Sequence, residues 1–130
     1  MKILVIEDQI EDAIVIEKIL ERDAPAEDPP KVTRVGTLAK AIDAVQQQRF
    51  DCVLLDLGLP DGRGLNNLRR LRSVKPSMAI VILSGISDEQ TAVAAMQAGA
   101  QAYVVKQDLA SSENIYEIAR VAMGAHADQD

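Results

Sequence analysis

Short runs of strand-forming residues alternate with stretches of helical spacing along this whole chain. The runs lie at residues 2–6 (KILVI), 31–35 (KVTRV), 51–57 (DCVLLDL), 79–83 (AIVIL) and 101–105 (QAYVV). They are too short for buried helices and suit strands. The helical stretches run from about Ile10 to Arg22, Thr37 to Gln48, Leu65 to Ser73, Asp88 to Ala98 and Ser112 to Met123. Strict strand–helix alternation predicts a parallel α/β sheet with right-handed crossovers. The first, third and fourth runs are apolar almost throughout, as strands covered by helices on both faces must be. The second alternates with period two and is expected at an edge.

Local chemistry marks the joints. Residues 23–30 (DAPAEDPP) hold three prolines and three acids and cannot be helix. Thr37 is placed to cap the second helix. Leu59-Pro60-Asp61-Gly62 is turn chemistry, and Gly99 suits a helix C-terminus. Ile10, Ile14, Ile16, Ile19 and Leu20 are expected on the inward face of the first helix. Arg69, Arg70, Arg72 and Lys75 are expected as a solvated face of the third. Residues 125–130, with His126, read as an exposed, frayed polar tail. With 130 residues the chain fits one domain, here residues 1–124 ahead of that tail.

Composition narrows the function classes. The lone cysteine, Cys52, excludes an internal disulfide and any multi-cysteine zinc site. Its apolar neighbours make it an inert core thiol. Fourteen basic against twenty acidic residues give a net charge of -6, which repels phosphate backbones, so no direct nucleic-acid partner is expected. No apolar run approaches the roughly 20 residues of a membrane helix. The opening turns acidic too soon for a secretory leader. A cytoplasmic domain with no membrane partner is therefore expected.

Ligands of open parallel sheets bind beyond the carboxyl ends of the strands. There the first run ends in Glu7-Asp8, the third near Asp56 with Gly58 just beyond, the fourth in Ser84-Gly85 and the fifth in Lys106. Carboxylates gathered on one rim repel one another and call for a cation. Oxygen-only ligands with room for water favour Mg²⁺. Asp56 is central and can act as a nucleophile toward phosphorus, giving an acyl phosphate. Lys106 and the metal can neutralise the phosphoryl oxygens, and the Ser84 hydroxyl can donate to one of them. Gly85 keeps the approach open, and the Gly58 carbonyl can face the metal.

In these motifs, ILVIED, LLDLGLPDGRG, VILSG and AGAQAYVVK in that order, the sequence resembles the receiver domain of two-component response regulators, the chemotaxis-regulator type, from Ile3 to about Met123. The resemblance implies a flavodoxin-like three-layer sandwich with strand order 2-1-3-4-5 and five helices. It implies that Asp8 binds Mg²⁺ directly, with Asp56 and the Gly58 carbonyl, and Glu7 through water. Asp56 becomes the phosphoacceptor, Ser84, Lys106 and Gly85 the phosphoryl-binding residues, and Ser84 and Tyr103 the switch pair. The implied partners are a sensor histidine kinase or phosphotransfer protein, and a downstream protein or second copy on the helix 4–strand 5–helix 5 face.

The chain departs from the family in having Gln107 after Lys106 where proline is usual, which disfavours a cis bond there. It also carries a long segment before the second strand. Two rivals stand beside this reading. A docking module with the same fold would leave Asp56 unphosphorylated. A haloacid-dehalogenase-type phosphatase would need a second Asp two residues after the nucleophile, where this chain has Gly58. The chain is thus expected to accept a phosphoryl group and lose it by hydrolysis without being an enzyme that turns over a substrate.

Overall fold

Successive residues of a strand face opposite sides of a sheet, and in this chain both sides are apolar. In the computed structural model, five parallel strands form one sheet: β1 (Lys2–Ile6), β2 (Lys31–Val35), β3 (Cys52–Asp56), β4 (Ile80–Ser84) and β5 (Ala102–Val105). Their spatial order is β2-β1-β3-β4-β5, as expected. Described are residues 1–85, 87–109 and 114–129, those from 125 on by their backbone alone. The helices are α1 (Ile10–Asp23), α2 (Leu38–Gln47), α3 (Leu65–Val74), α4 (Glu89–Gln97) and α5 (Ile115–Gln129).

The alternation of side chains sorts the core into two halves. Leu4, Ile6, Val53, Leu55, Ile80 and Ile82 pack with Leu38 and Ala41 of α2, Leu68 and Leu71 of α3 and Ala95 of α4. Ile3, Val5, Cys52, Leu54, Val81 and Leu83 pack with Ile16, Ile19 and Leu20 of α1 and with Ile115 and Ala119 of α5. Three layers result, with α1 and α5 on one face and α2, α3 and α4 on the other. The edge strand β2 is only half-buried. Burial of Cys52 pushes its thiol up to about 12, in keeping with an inert core residue.

Four details differ from expectation. On α1 the buried stripe is Ala13, Ile16, Ile19 and Leu20, while Ile10 and Ile14 are exposed. Ile14 lies about 200° around the helix from Ile16 at 100° per residue, so the two cannot share a face. Arg72 is not solvated. Its guanidinium donates to the carbonyls of Pro76, Met78 and Gly99 and to Gln101 Oε1, tying the end of α3 to the starts of β4 and β5. Burial lowers its pKa. The last helix runs past its expected end near Met123, because α5 continues to Gln129. Residues 125–129 contain neither proline nor glycine to stop it, and the side chain of His126 lies outside the described residues.

The acidic segment before β2 is also better anchored than its prolines suggest. Asp28 accepts from the N-terminal ammonium at 2.8 Å and from the Tyr116 hydroxyl of α5. These bonds hold the Asp28 pKa low, and Lys31 N–H donates to Met1 O at 2.8 Å.

Candidate phosphoacceptor and metal site

Strand register brings the expected residues to one rim. Ile6 lies beside Leu55, so Glu7 and Asp8 emerge next to Asp56. Asp56 pairs with Leu83, and Ser84, the next residue, pairs with Val105 immediately before Lys106. Carboxylate oxygens of Glu7, Asp8 and Asp56 all lie within 4.8 Å of one another. Glu7 is fully buried and Asp56 nearly so.

Lys106 is the cation facing them. Its Nζ lies 2.6 Å from Glu7 Oε2, 3.3 Å from Asp12 Oδ2 and 3.5 Å from Asp56 Oδ1. Burial works against the Lys106 charge, but Glu7, Asp56 and Asp12 outweigh it and raise its pKa. Burial also raises the Glu7 carboxyl, with neighbouring Asp56 adding to the effect against the hydrogen bonds from Lys106 and Gln9. One ammonium thus serves three carboxylates, with Asp8 a fourth acid beside them.

That excess of negative charge suits a divalent cation. Glu7 Oε1 accepts from Gln9 N–H at 3.1 Å. Among the described residues the buried Oε2 meets Lys106 Nζ alone. Three hard oxygen donors and a buried oxygen with spare lone pairs match the preference of Mg²⁺ for few protein ligands.

Two further devices shape the site. Arg34, on the edge strand β2, reaches over β1 and donates from Nε to Glu7 O at 3.0 Å and from Nη2 to Asp8 O at 3.1 Å. Gly36 leaves room for it, since a Cβ there would stand 3.3 Å from Arg34 Nη2. A planar two-pronged donor on adjacent carbonyls fixes the loop that aims the acidic pair.

Beyond Asp56 the chain makes a small antiparallel ribbon, Gly58–Leu59 against Gly62–Arg63, with the expected turn at its tip. Gly58 N–H donates to Asp56 Oδ1 at 3.3 Å. Fully buried Asn67 of α3 holds the ribbon's base, donating to Leu57 O at 3.2 Å and Gly62 O at 3.0 Å. Asp61 accepts from the backbone N–H groups of Leu38 and Ala39 at 2.7 and 2.9 Å, which lowers its pKa and pins the turn to the start of α2.

The remaining expected residues sit nearby. Ser84 is buried at the end of β4 and Gly85 beyond it is exposed. Tyr103 pairs with Ile82 in the sheet and packs half-buried against the core half that faces α2, α3 and α4. Lys106–Asp108 form one 3₁₀ turn, and no cis peptide bond occurs among the described residues.

Sequence reasoning missed Arg34, Asp12, Asn67 and the α2-capping role of Asp61. A signal existed for Asp12, which follows Asp8 by one helical turn. It also existed for Asp61, an acid beside the Thr37-capped helix. None marked Arg34, whose carbonyl partners lie 27 and 26 residues back, or Asn67, whose partners are backbone carbonyls and carry no side-chain pattern.

Known proteins agree with this geometry. The sequence profile of the response regulator receiver domain matches residues 3–120. The chain is 35% identical over 97 residues to the KDP operon transcriptional regulatory protein KdpE of Escherichia coli, covering 75% of this chain and 42% of that protein. It is 35% identical over 106 residues to the cell cycle transcriptional regulator CtrA of Caulobacter vibrioides, covering 82% of this chain and 44% of that one. The chain therefore spans less than half the length of these two relatives. Among solved structures, a response regulator receiver domain protein from Clostridium thermocellum superposes with a TM-score of 0.80 at 25% identity, over 99% of this chain and 98% of that one. Strand order, the acidic rim with its lysine and a profile match over nearly the whole length lead to one assignment: the chain belongs to the response regulator receiver domain family of two-component systems.

Proposed function

We propose that this chain accepts a phosphoryl group on Asp56 from the phosphohistidine of a sensor histidine kinase or phosphotransfer protein. The observation that carries the reading is the convergence of Glu7, Asp8 and Asp56 carboxylates with the Lys106 ammonium on one rim. Asp8, Asp56 and the Gly58 carbonyl would hold Mg²⁺ directly, and Glu7 through water. The ion supplies charge neutralisation for the phosphoryl oxygens.

One Asp56 carboxylate oxygen attacks phosphorus. The phosphorus–nitrogen bond breaks, and its electron pair leaves with the imidazole. Lys106 turns an N–H toward a phosphoryl oxygen, and the Ser84 hydroxyl donates to another. Gly85, lacking a side chain, leaves that approach open. Ser84 moves inward, and Tyr103 follows into the space beside it. The added charge biases a pre-existing two-state equilibrium.

The face of α4, β5 and α5 then changes its contacts with a downstream protein or a second copy. Exposed Val93 and Met96 of α4 support a docking role there. Water ends the signal by hydrolysing the acyl phosphate, so the chain is a carrier rather than a turnover enzyme. Gly58 occupies the position where a phosphatase of the dehalogenase type needs its acid.

Among the described residues no helix is long and apolar enough to cross a membrane, and we place the chain in the cytoplasm. The relatives are transcriptional regulators, so the expectation of no nucleic-acid partner lacks support beyond this chain's own charge.

The test is intact-mass analysis after incubation with Mg²⁺ and phosphoramidate. The wild type should gain one phosphoryl group and Asp56→Asn none. Equal gain by both, or none by the wild type, overturns the reading; the second result leaves the docking module.

A further inference from the structure

Three carboxylates share the Lys106 ammonium at unequal distances: Glu7 at 2.6 Å, Asp12 at 3.3 Å and Asp56 at 3.5 Å. Glu7 and Asp56 end strands on the rim. Asp12 instead stands on the first turn of α1, and its side chain is 49% exposed. We infer that Asp12 is a positioning residue that competes with the incoming phosphoryl group for Lys106 and so sets how tightly the site takes a phosphoryl-type anion.

The inference rests on the proposed phosphoacceptor function and adds a residue to it. A phosphoryl group on Asp56 brings close to two negative charges, and the lysine must turn toward it. Glu7 is fully buried and cannot leave. Asp12 borders water and can release the ammonium at little cost. While it holds Nζ, it draws the cation away from Asp56. Its own charge also opposes the arriving anion. Removing that charge frees Lys106 before the anion binds.

The experiment titrates the full chain with beryllofluoride, a non-covalent phosphoryl mimic, at saturating Mg²⁺ by calorimetry. Asp12→Asn should bind about two- to fivefold more tightly than wild type, the worth of a half-exposed ion pair. Asp12→Glu should return to wild-type affinity. Glu11→Gln removes an equal charge from the adjacent exposed position and should change affinity less than Asp12→Asn. If Asp12→Asn binds equally or more weakly, or Glu11→Gln tightens binding as much, the inference is wrong while the phosphoacceptor reading stands. If wild type itself takes up no beryllofluoride, that reading fails and the inference falls with it.

Discussion

A single methyl group at Gly62 tests how the ribbon after Asp56 is held. A Cβ there would stand 2.2 Å from Asn67 Oδ1 and 3.3 Å from Asn67 Cγ. The glycine is required for space, not for backbone freedom, since the positive-φ glycines are Gly64 and Gly99. Asn67 is fully buried among the α2–α3 core, so it has no open volume to retreat into. If it swings aside, the bonds from its Nδ2 to Leu57 O and Gly62 O are lost. Leu57 O keeps the Gly64 N–H at 2.8 Å, so the loss is two hydrogen bonds at about 1 kcal/mol each plus the cost of a buried Asn67 amide left unpaired, about 2–4 kcal/mol for Gly62→Ala. With a urea slope of about 1.5 kcal/mol/M, the unfolding midpoint falls by about 1.3–2.7 M. Asn67→Ala removes the obstructing group, so Gly62→Ala/Asn67→Ala should be no less stable than Asn67→Ala alone. That is a coupling of about 2 kcal/mol or more between the two positions. A loss below about 0.5 kcal/mol for Gly62→Ala, or strict additivity in the cycle, would refute the reasoning.

Two further outcomes follow from the site. Arg34→Ala should weaken Mg²⁺ binding severalfold while leaving the global fold intact, with Arg34→Lys restoring only part of it because an ammonium lacks the two-pronged geometry; unchanged affinity by calorimetry would remove Arg34 from the site. Asp61, whose pKa is lowered first by the Leu38 N–H and then by the Ala39 N–H, contributes stability above the unfolded carboxyl value near 3.8. That contribution is lost as pH falls through the still lower folded value. Stability measured from about pH 5 to pH 2 should therefore decline less steeply for Asp61→Asn than for wild type, and parallel curves would contradict the capping role.

The fold was legible because it follows from local patterning. Apolar runs such as CVLL and IVIL cannot be placed anywhere but between two helical layers, and strand ends then carry Glu7, Asp56, Ser84 and Lys106 to a common rim without any knowledge of side-chain contacts. What escaped depends on long reach. Arg34 sits in an alternating strand where it reads as an outward residue, yet its guanidinium crosses to the carbonyls of Glu7 and Asp8. Arg72 sits in a basic cluster that reads as solvated, yet its bonds staple two loops to the end of α3. Gly62 reads as turn chemistry, whereas its cause is Asn67. On α1, a list of isoleucines hid the phase of the buried stripe.

The account turns on whether Glu7, Asp8 and Asp56 form one cation site. Substoichiometric Mn²⁺ in place of Mg²⁺, followed by nuclear magnetic resonance of the backbone amides, addresses this at residue level. Broadening should concentrate at residues 7–9, 56–58 and 106, and Asp8→Ala should abolish it. Broadening spread evenly over the acidic surface, or persisting undiminished at Asp56 in Asp8→Ala, would contradict the site.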